Sequence, residues 1–341
     1  MPHRIPILTP NDSGLLLKYF SGVDQALSKR FTLGFYLDEE HLTSLLCELL
    51  DTKGAELHNL SYNVSSLNAD LEKSGSLLRT ALTITTNAYN KHQERHFTQS
   101  DIGLIIDYND RIDRKASFRK AILLQAKKIF PQKDGAYNLN SKYESYDDAQ
   151  HSRLEKLLQS MRSVEPRKEI DHLKEIDHLR GSDCARYLLY NPPFSSLDKL
   201  DQEWLVHCQL GREVSSIFDY TAGLQVYKDL ADGGGITTYL STGCLAVPFH
   251  DIRQIASSSG TASSTKLTAF SLEQALNHTD IRRHSLPWFI VFDLLLGSAG
   301  CTGKDILSFI SGTQSGLARE FQSAPPRFIF TVSITVGSPR G

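Results

Sequence analysis

Two apolar runs joined by a basic linker constrain the fold of this chain more than any other feature. The first run covers residues 102–106 and the second residues 121–124. Both have the length and the content of branched side chains that are typical of buried strands. If the two strands pair as a hairpin, they run in opposite directions, and the start of the first lies beside the end of the second.

Three polar residues would meet at that end of the hairpin. Asp101 precedes the first run, and Gln125 and Lys127 follow the second. Alternation along a strand places Gln125 and Lys127 on one face of the sheet. A carboxylate, an amide carbonyl and an amine in one place suit a divalent metal ion and a phosphate group.

The pattern Asp101…Gln125-x-Lys127 resembles the D…(D/E/Q)xK signature of the PD-(D/E)XK nuclease superfamily, which includes many restriction and phage-defence enzymes. The resemblance covers roughly residues 35 to 195. The family core consists of a helix, three strands, a helix and a strand. The matching segments lie near Glu39–Leu50, residues 78–86, the two apolar runs, residues 147–161 and Ala185–Tyr190.

This resemblance implies an α/β (α+β) fold with a mixed central sheet of the restriction-endonuclease-like type, flanked by helices. It also implies an enzyme, a metal-dependent endonuclease that hydrolyses phosphodiester bonds, with DNA favoured over RNA as substrate. An effector role in phage defence follows by the same association. The alternative is a nuclease-like binding or regulatory subunit without catalysis, which glutamine in place of an acid at position 125 favours.

Residue roles follow from the resemblance as well. Asp101 and Gln125 would ligate Mg²⁺ or Mn²⁺, and Lys127 would orient or deprotonate the attacking water. The superfamily often places an acid on the first helix, and Glu40, three residues before Thr43, is our first candidate for this role. Glu48 is the second candidate, and a solvent-facing glutamate is the alternative for both. Early in the next helix, Gln150 is a further polar candidate.

Basic residues are concentrated between Arg111 and Lys133, where eight lysines and arginines stand against one acid. This run is expected to adjoin the proposed site and to contact nucleic acid, with a solvated loop as the alternative. The candidate contacts are Arg114, Lys115, Arg119 and Lys128. The whole chain carries a formal net charge of −2, so it lacks a global basic field. A homo-oligomer or a partner protein of a defence system would then complete the binding groove.

Cysteine spacing and hydropathy indicate a soluble, cytoplasmic protein without membrane association. The five cysteines include no C-x-x-C pair, which argues for a reducing compartment and against a disulfide framework. The N-terminus does not resemble a secretory signal. The most apolar run, residues 286–296, contains Asp293 and is too short to span a bilayer.

A change of character after Pro193 predicts a domain boundary near Ser195. Residues 1–195 would form the nuclease-like domain, and residues 196–341 a C-terminal mixed α/β region. This region carries no recognised motif apart from a clear terminal strand over residues 326–336. Three roles remain open for it: extension of the nuclease sheet, dimerisation, or recognition of a partner.

Overall fold

The structure, a computed structural model, describes just over half of the chain. The described residues are 10–33, 37–58, 60–73, 83–88, 100–133, 135, 137, 141–143, 151–152, 154–158, 184–192, 243–249, 251–252, 255, 267–268, 271–272, 285–296, 299–311 and 326–337. In this part, seven strands form a mixed sheet flanked by helices. The predicted α/β architecture with a mixed central sheet is therefore confirmed.

The elements follow one another along the chain as helices first, then strands, then alternating pieces of both. The strands are β1 Thr83–Ala88, β2 Ile102–Asp110, β3 Phe118–Phe130, β4 Lys142–Tyr143, β5 Ala185–Tyr190, β6 Leu245–Pro248 and β7 Phe328–Val336. The helices are α1 Pro10–Ser28, α2 Glu39–Leu50, α3 Thr52–Leu57, α4 Val64–Lys73, α5 Leu286–Trp288 and α6 Lys304–Ile310. A π-helix, Phe289–Leu296, continues α5, and 3-10 turns cover Lys29–Leu33 and Arg114–Ala116.

Strand order in the sheet is β1-β7-β2-β3-β5-β6, with β4 paired to the end of β3. The predicted hairpin is confirmed, because β2 and β3 are antiparallel with Ile102 opposite Leu124. Strand β5 is parallel to β3 on its other side, and β6 is antiparallel to β5. The longest strand, β3, is buried from Lys120 to Ile129, as expected for a central strand covered on both faces.

Both strands described in the C-terminal half belong to this same sheet. Strand β7 is parallel to β2 and antiparallel to β1, so it separates the two. The first predicted strand, residues 78–86, corresponds to β1, whose neighbour is β7 rather than β2. Of the three roles left open for the C-terminal half, extension of the sheet is the one seen in the described residues.

Helix α2 has the bounds predicted for it, because its capping and its leucine stripe are both strong signals. The side chain of Asp38 accepts a hydrogen bond from the backbone N–H of His41 at 2.8 Å, which satisfies a free donor at the helix start. The leucine stripe packs against β1, β3 and β7. Thr43 is also buried, and its hydroxyl lies 2.9 Å from that of Tyr190, which fixes the helix over β5.

Helix α6 covers the other face of the sheet. Gly103 in β2 faces Ile310 of α6, and a Cβ atom at position 103 would lie 2.5 Å from Cγ2 of Ile310. Gly103 is opposite Leu123 in register, whereas Tyr190, which contacts α2, is opposite Lys128. Because positions 123 and 128 point to opposite faces by alternation, α2 and α6 lie on opposite faces.

Gly103→Ala is expected to lower the free energy of unfolding by about 1–3 kcal/mol, the usual cost of overpacking a core. Denaturation by urea, followed by circular dichroism, measures this change. Gly14→Ala in α1 is the matched control, because nothing lies within 4 Å of its Cβ position. That control should gain about 0.5–1 kcal/mol from helix propensity. Equal stability of Gly103→Ala and the wild type would contradict the close approach of α6.

Two cysteines that are distant in sequence form a disulfide. Cys184 and Cys301 are bonded, with Cα atoms 5.4 Å apart and a sequence separation of 117. Both flank the central strand, since Leu123 donates a backbone hydrogen bond to Cys184 and Ala121 exchanges two with Cys301. The cysteine spacing did not predict this pair, because the sheet brings the two residues together. Cys47 and Cys244 are buried thiols.

Within the described ranges, no helix is long and apolar enough to cross a membrane.

Candidate active site

Asp101 and Gln125 meet at the end of the hairpin, where β2 begins and β3 continues. The backbone of Asp101 is fixed on both sides, because its N–H donates to Leu124 at 3.2 Å and its carbonyl accepts from Phe328 at 3.1 Å. Its carboxylate accepts hydrogen bonds from the Gln125 side-chain amide and from the backbone N–H of Ala126, the latter at 2.8 Å. The carboxylate is therefore held in one orientation by β3.

Lys127 is a buried cation beside a carboxylate. Its side chain is 5% exposed, and its Nζ lies 3.7 Å from Oε1 of Glu39, the first residue of α2. The other carboxylate oxygen of Glu39 accepts from the backbone N–H of Lys128 at 3.2 Å. One ion pair and one hydrogen bond thus hold Glu39 against β3. The buried ammonium of Lys127 therefore has a carboxylate as its counter-charge.

Electrostatics make Glu39 the most perturbed acid of the site. Burial raises the pKa of Glu39 to about 7, against the opposing effect of the Lys127 ammonium. The nearby carboxylate of Asp101 raises the pKa further, while the N–H of Lys128 lowers it. Two carboxyl groups and one amine therefore share a partly desolvated place, an arrangement that a divalent cation would stabilise because it attracts both carboxylates.

Gln125 has one side-chain oxygen atom that no described residue contacts by a hydrogen bond. Its side chain is 1% exposed, and its Oε1 is buried and accepts no hydrogen bond from the residues that the structure describes. Such an unpaired acceptor costs about 1–3 kcal/mol. An amide oxygen is also a ligand for hard cations such as Mg²⁺. Among the described residues, no three side chains of His, Cys, Asp or Glu are grouped to hold a metal ion, so the available donors are two carboxylates and this amide.

Glu40 and Glu48, the two candidates on the first helix, are placed differently from Glu39. Glu40 accepts from the guanidinium of Arg327, and its side chain is 43% exposed. Glu48 lies 2.9 Å from Nε2 of His58 and is 55% exposed. The acid that the structure brings to Lys127 is Glu39. Helical spacing contains the signal for this, because Glu39 is three and seven residues before Leu42 and Leu46 of the leucine stripe and so lies on the buried side of α2.

A buried histidine adjoins the site through β5, and the sequence analysis missed it. Tyr187 is opposite Gln125 in register, and Nδ1 of His151 lies 3.2 Å from its hydroxyl. The ring of His151 stacks on Phe249 with 3.8 Å between centroids. Gln150, the expected polar residue of this helical segment, lies outside the described residues. His151 directly follows Gln150, and no motif or spacing in the sequence distinguishes this histidine as a site residue.

The sequence analysis expected the basic run to adjoin these residues, but its exposed members do not. Arg114, Lys115 and Arg119 are exposed, but they lie at the turn of the hairpin, at the end of β2 opposite to Asp101. Ten residue steps of extended strand correspond to about 30 Å. Lys128 is close to the site but only 3% exposed, and its ammonium donates to the carbonyl of Leu37. It is therefore buried away from any phosphate contact.

Comparisons with known proteins assign no relative. No family model, curated protein or solved structure matches this chain.

Proposed function

We propose that this chain is a metal-dependent endonuclease of the PD-(D/E)XK type that hydrolyses phosphodiester bonds of DNA. One observation carries the proposal: a buried lysine and three oxygen-bearing side chains gather at one end of the β2–β3 hairpin. Asp101 and Gln125 are in contact, and Lys127 is 3.7 Å from Glu39. These residue types on these elements are those that the nuclease signature requires.

The order of elements supports the same proposal. Apart from the intervening elements α3, α4 and β4, helix α2 is followed by β1, β2 and β3, by helical residues 151–152 and 154–158, and then by β5 parallel to β3. This order is the one given for the family core. The described sheet differs from the family core in one respect: β7 lies between β1 and β2. The restriction-endonuclease-like classification thus rests on the hairpin, β5 and the covering helix.

The donors present fit Mg²⁺ or Mn²⁺. Asp101 and Glu39 would supply carboxylate oxygens, and Gln125 its unpaired Oε1, a set of hard oxygen ligands. When bound, the ion would polarise the phosphate and lower the pKa of a coordinated water. The short donor set, with an amide where many sites have an acid, favours weak binding of a single ion.

Lys127 would act on the phosphate directly. Its ammonium is held in a partly desolvated place, where a positive charge stabilises developing negative charge more strongly than in water. In hydrolysis, water attacks phosphorus while the bond to the leaving oxygen breaks. The attacking water loses a proton and the leaving oxygen gains one. Glu39, whose carboxylate lies 3.7 Å from the Lys127 ammonium, could accept the first proton, and solvent water would supply the second.

A matched pair of variants tests the assignment of Glu39. Glu39→Gln is expected to raise the Mg²⁺ or Mn²⁺ concentration for half-maximal plasmid nicking roughly tenfold or more, because a ligand charge is lost. Glu40→Gln, one residue away on the same helix, should leave that concentration unchanged. A Mn²⁺-dependent rise in melting temperature gives a second readout without catalysis. Equal metal dependence in the two variants would remove Glu39 from the site.

A second candidate function is a nuclease-like subunit that binds nucleic acid without cutting it. Gln125 in place of an acid and the absence of a three-acid group in the described part of the chain favour it. Nicking of supercoiled plasmid by the purified wild-type protein decides between the two functions. For either candidate function, the resemblance suggests a role in phage defence. A second copy of the chain or a partner protein would then complete the nucleic-acid-binding groove.

A further inference from the structure

The turn of the β2–β3 hairpin and the start of β3 form an exposed basic surface, which we call the hairpin tip. It consists of Arg111, Ile112, Arg114 and Lys115 of the turn and Arg119 of β3. All five side chains are exposed, and Ile112 is 64% exposed, unusual for a large apolar residue beside a sheet. Four cations around one exposed isoleucine give the tip both charge and an apolar contact point.

Hydrogen bonds and packing hold the tip in one shape. The carboxylate of buried Asp110 accepts from the backbone N–H groups of Ile112 and Asp113, both at 2.8 Å. The backbone N–H of Arg111 donates to Val336 at the end of β7. Just beyond, Gly337 has a φ of 72°, and a Cβ there would lie 2.5 Å from Cγ1 of Ile112. The tip is therefore preorganised, which reduces the entropy lost on binding.

Positive charge predominates at the tip. Asp110 and Asp113 both direct a carboxylate oxygen at backbone N–H donors of the turn, and Asp107 lies opposite Arg119 in register. In the described part of the chain, no ion pair or hydrogen bond engages the side chains of the four cations. Because these cations outnumber the three acids, a polyanion that binds across them gains favourable energy.

We propose that the hairpin tip docks on the phosphate backbone of duplex nucleic acid, at a place separate from the candidate active site. The exposed cations can contact backbone phosphates, and Ile112 can contact sugars or bases in a groove, as apolar residues flanked by cations do in groove-binding proteins. The separation from Asp101, about 30 Å, corresponds to about nine base pairs at 3.4 Å each. The inference rests on the proposed function only for the choice of nucleic acid as the polyanion.

Binding without catalysis tests the proposal. Fluorescence anisotropy of a labelled 24-base-pair DNA duplex, without divalent metal, measures the dissociation constant over a range of NaCl concentrations. Arg114→Ala with Lys115→Ala is expected to weaken binding roughly eightfold for each lost phosphate contact at 0.1 M salt, and to reduce the salt slope by about 0.9 per contact. The double variant Lys53→Ala, Lys304→Ala removes the same charge from other exposed positions and should bind as the wild type does.

The outcomes separate this proposal from that of the nuclease. An unchanged affinity and salt slope in the tip variant would overturn the docking surface, whether or not the wild type cuts DNA. Weaker binding by the tip variant of a protein that does not cut DNA would support the tip and count against the nuclease. Competition by polyglutamate as effective as that by DNA, at equal charge, would instead identify an acidic protein as the partner and overturn the proposal.

Discussion

Asp101→Asn and Lys127→Met are each expected to reduce metal-dependent DNA cleavage by at least a hundredfold. The first removes a ligand charge, and the second removes the ammonium that stabilises charge on the phosphate, an effect of about 10²–10³ in comparable sites. Both substitutions preserve side-chain volume, so the folded structure should persist with a change of about 1 kcal/mol. Single-turnover plasmid nicking and thermal melting measure the two quantities on the same samples.

The control for this prediction is the solvent-exposed lysine Lys53. Its replacement by Met removes the same charge outside the candidate site and should leave cleavage unchanged. Full cleavage by either site variant would exclude its residue from catalysis. Loss of cooperative melting in both would show that Asp101 and Lys127 serve the fold, because the hydrogen bonds of Asp101 to Gln125 and Ala126 also connect β2 to β3.

Loss of the Cys184–Cys301 disulfide should produce the largest change in stability. The disulfide closes a loop of 117 residues, and the chain-entropy relation assigns such a loop about 4–5 kcal/mol. Urea denaturation with and without a reductant should show this difference for the wild type. In the Cys184→Ala, Cys301→Ala double variant, the reductant should have no effect, and stability should equal that of the reduced wild type.

Mass spectrometry provides an independent check on the disulfide. Alkylation in denaturant without reductant should leave Cys184 and Cys301 unmodified while Cys47 and Cys244 react. Labelling of all four residues before reduction would contradict the disulfide. Mass spectrometry could show the disulfide while the reductant leaves the free energy of unfolding unchanged. This result would mean that the unfolded state is compact even without the disulfide.

Sequence reasoning worked best where a local pattern decides the structure. Leucines at helical spacing after a capping residue gave the bounds of α2. Branched apolar runs gave β2, β3, β5 and β7. Antiparallel pairing then placed Asp101 beside Gln125, because a hairpin permits few other arrangements. These features depend on neighbours in sequence, and neighbours in sequence are what a single chain reveals.

The features that could not be predicted depend on contacts between distant segments. Nothing in the terminal strand indicates that it pairs with β2 and β1, and the Cys184–Cys301 bond follows from the sheet rather than from cysteine spacing. Two errors had local remedies. Counting from the leucine stripe of α2 favours Glu39 over Glu40, and the direction of a hairpin places the residues of its turn at the end far from Asp101.

The position of β7 has a consequence for the synthesis of the protein. Strand β2 borders β7 along its whole length, and the carbonyl of Asp101 accepts a hydrogen bond from Phe328. While a ribosome is still translating the chain, that edge of β2 has no partner from β7 and is exposed to pairing with other chains. The backbone around Asp101 is thus completed only after residue 328 has emerged. Under the proposed function, the nascent chain would remain unable to cut DNA before that point.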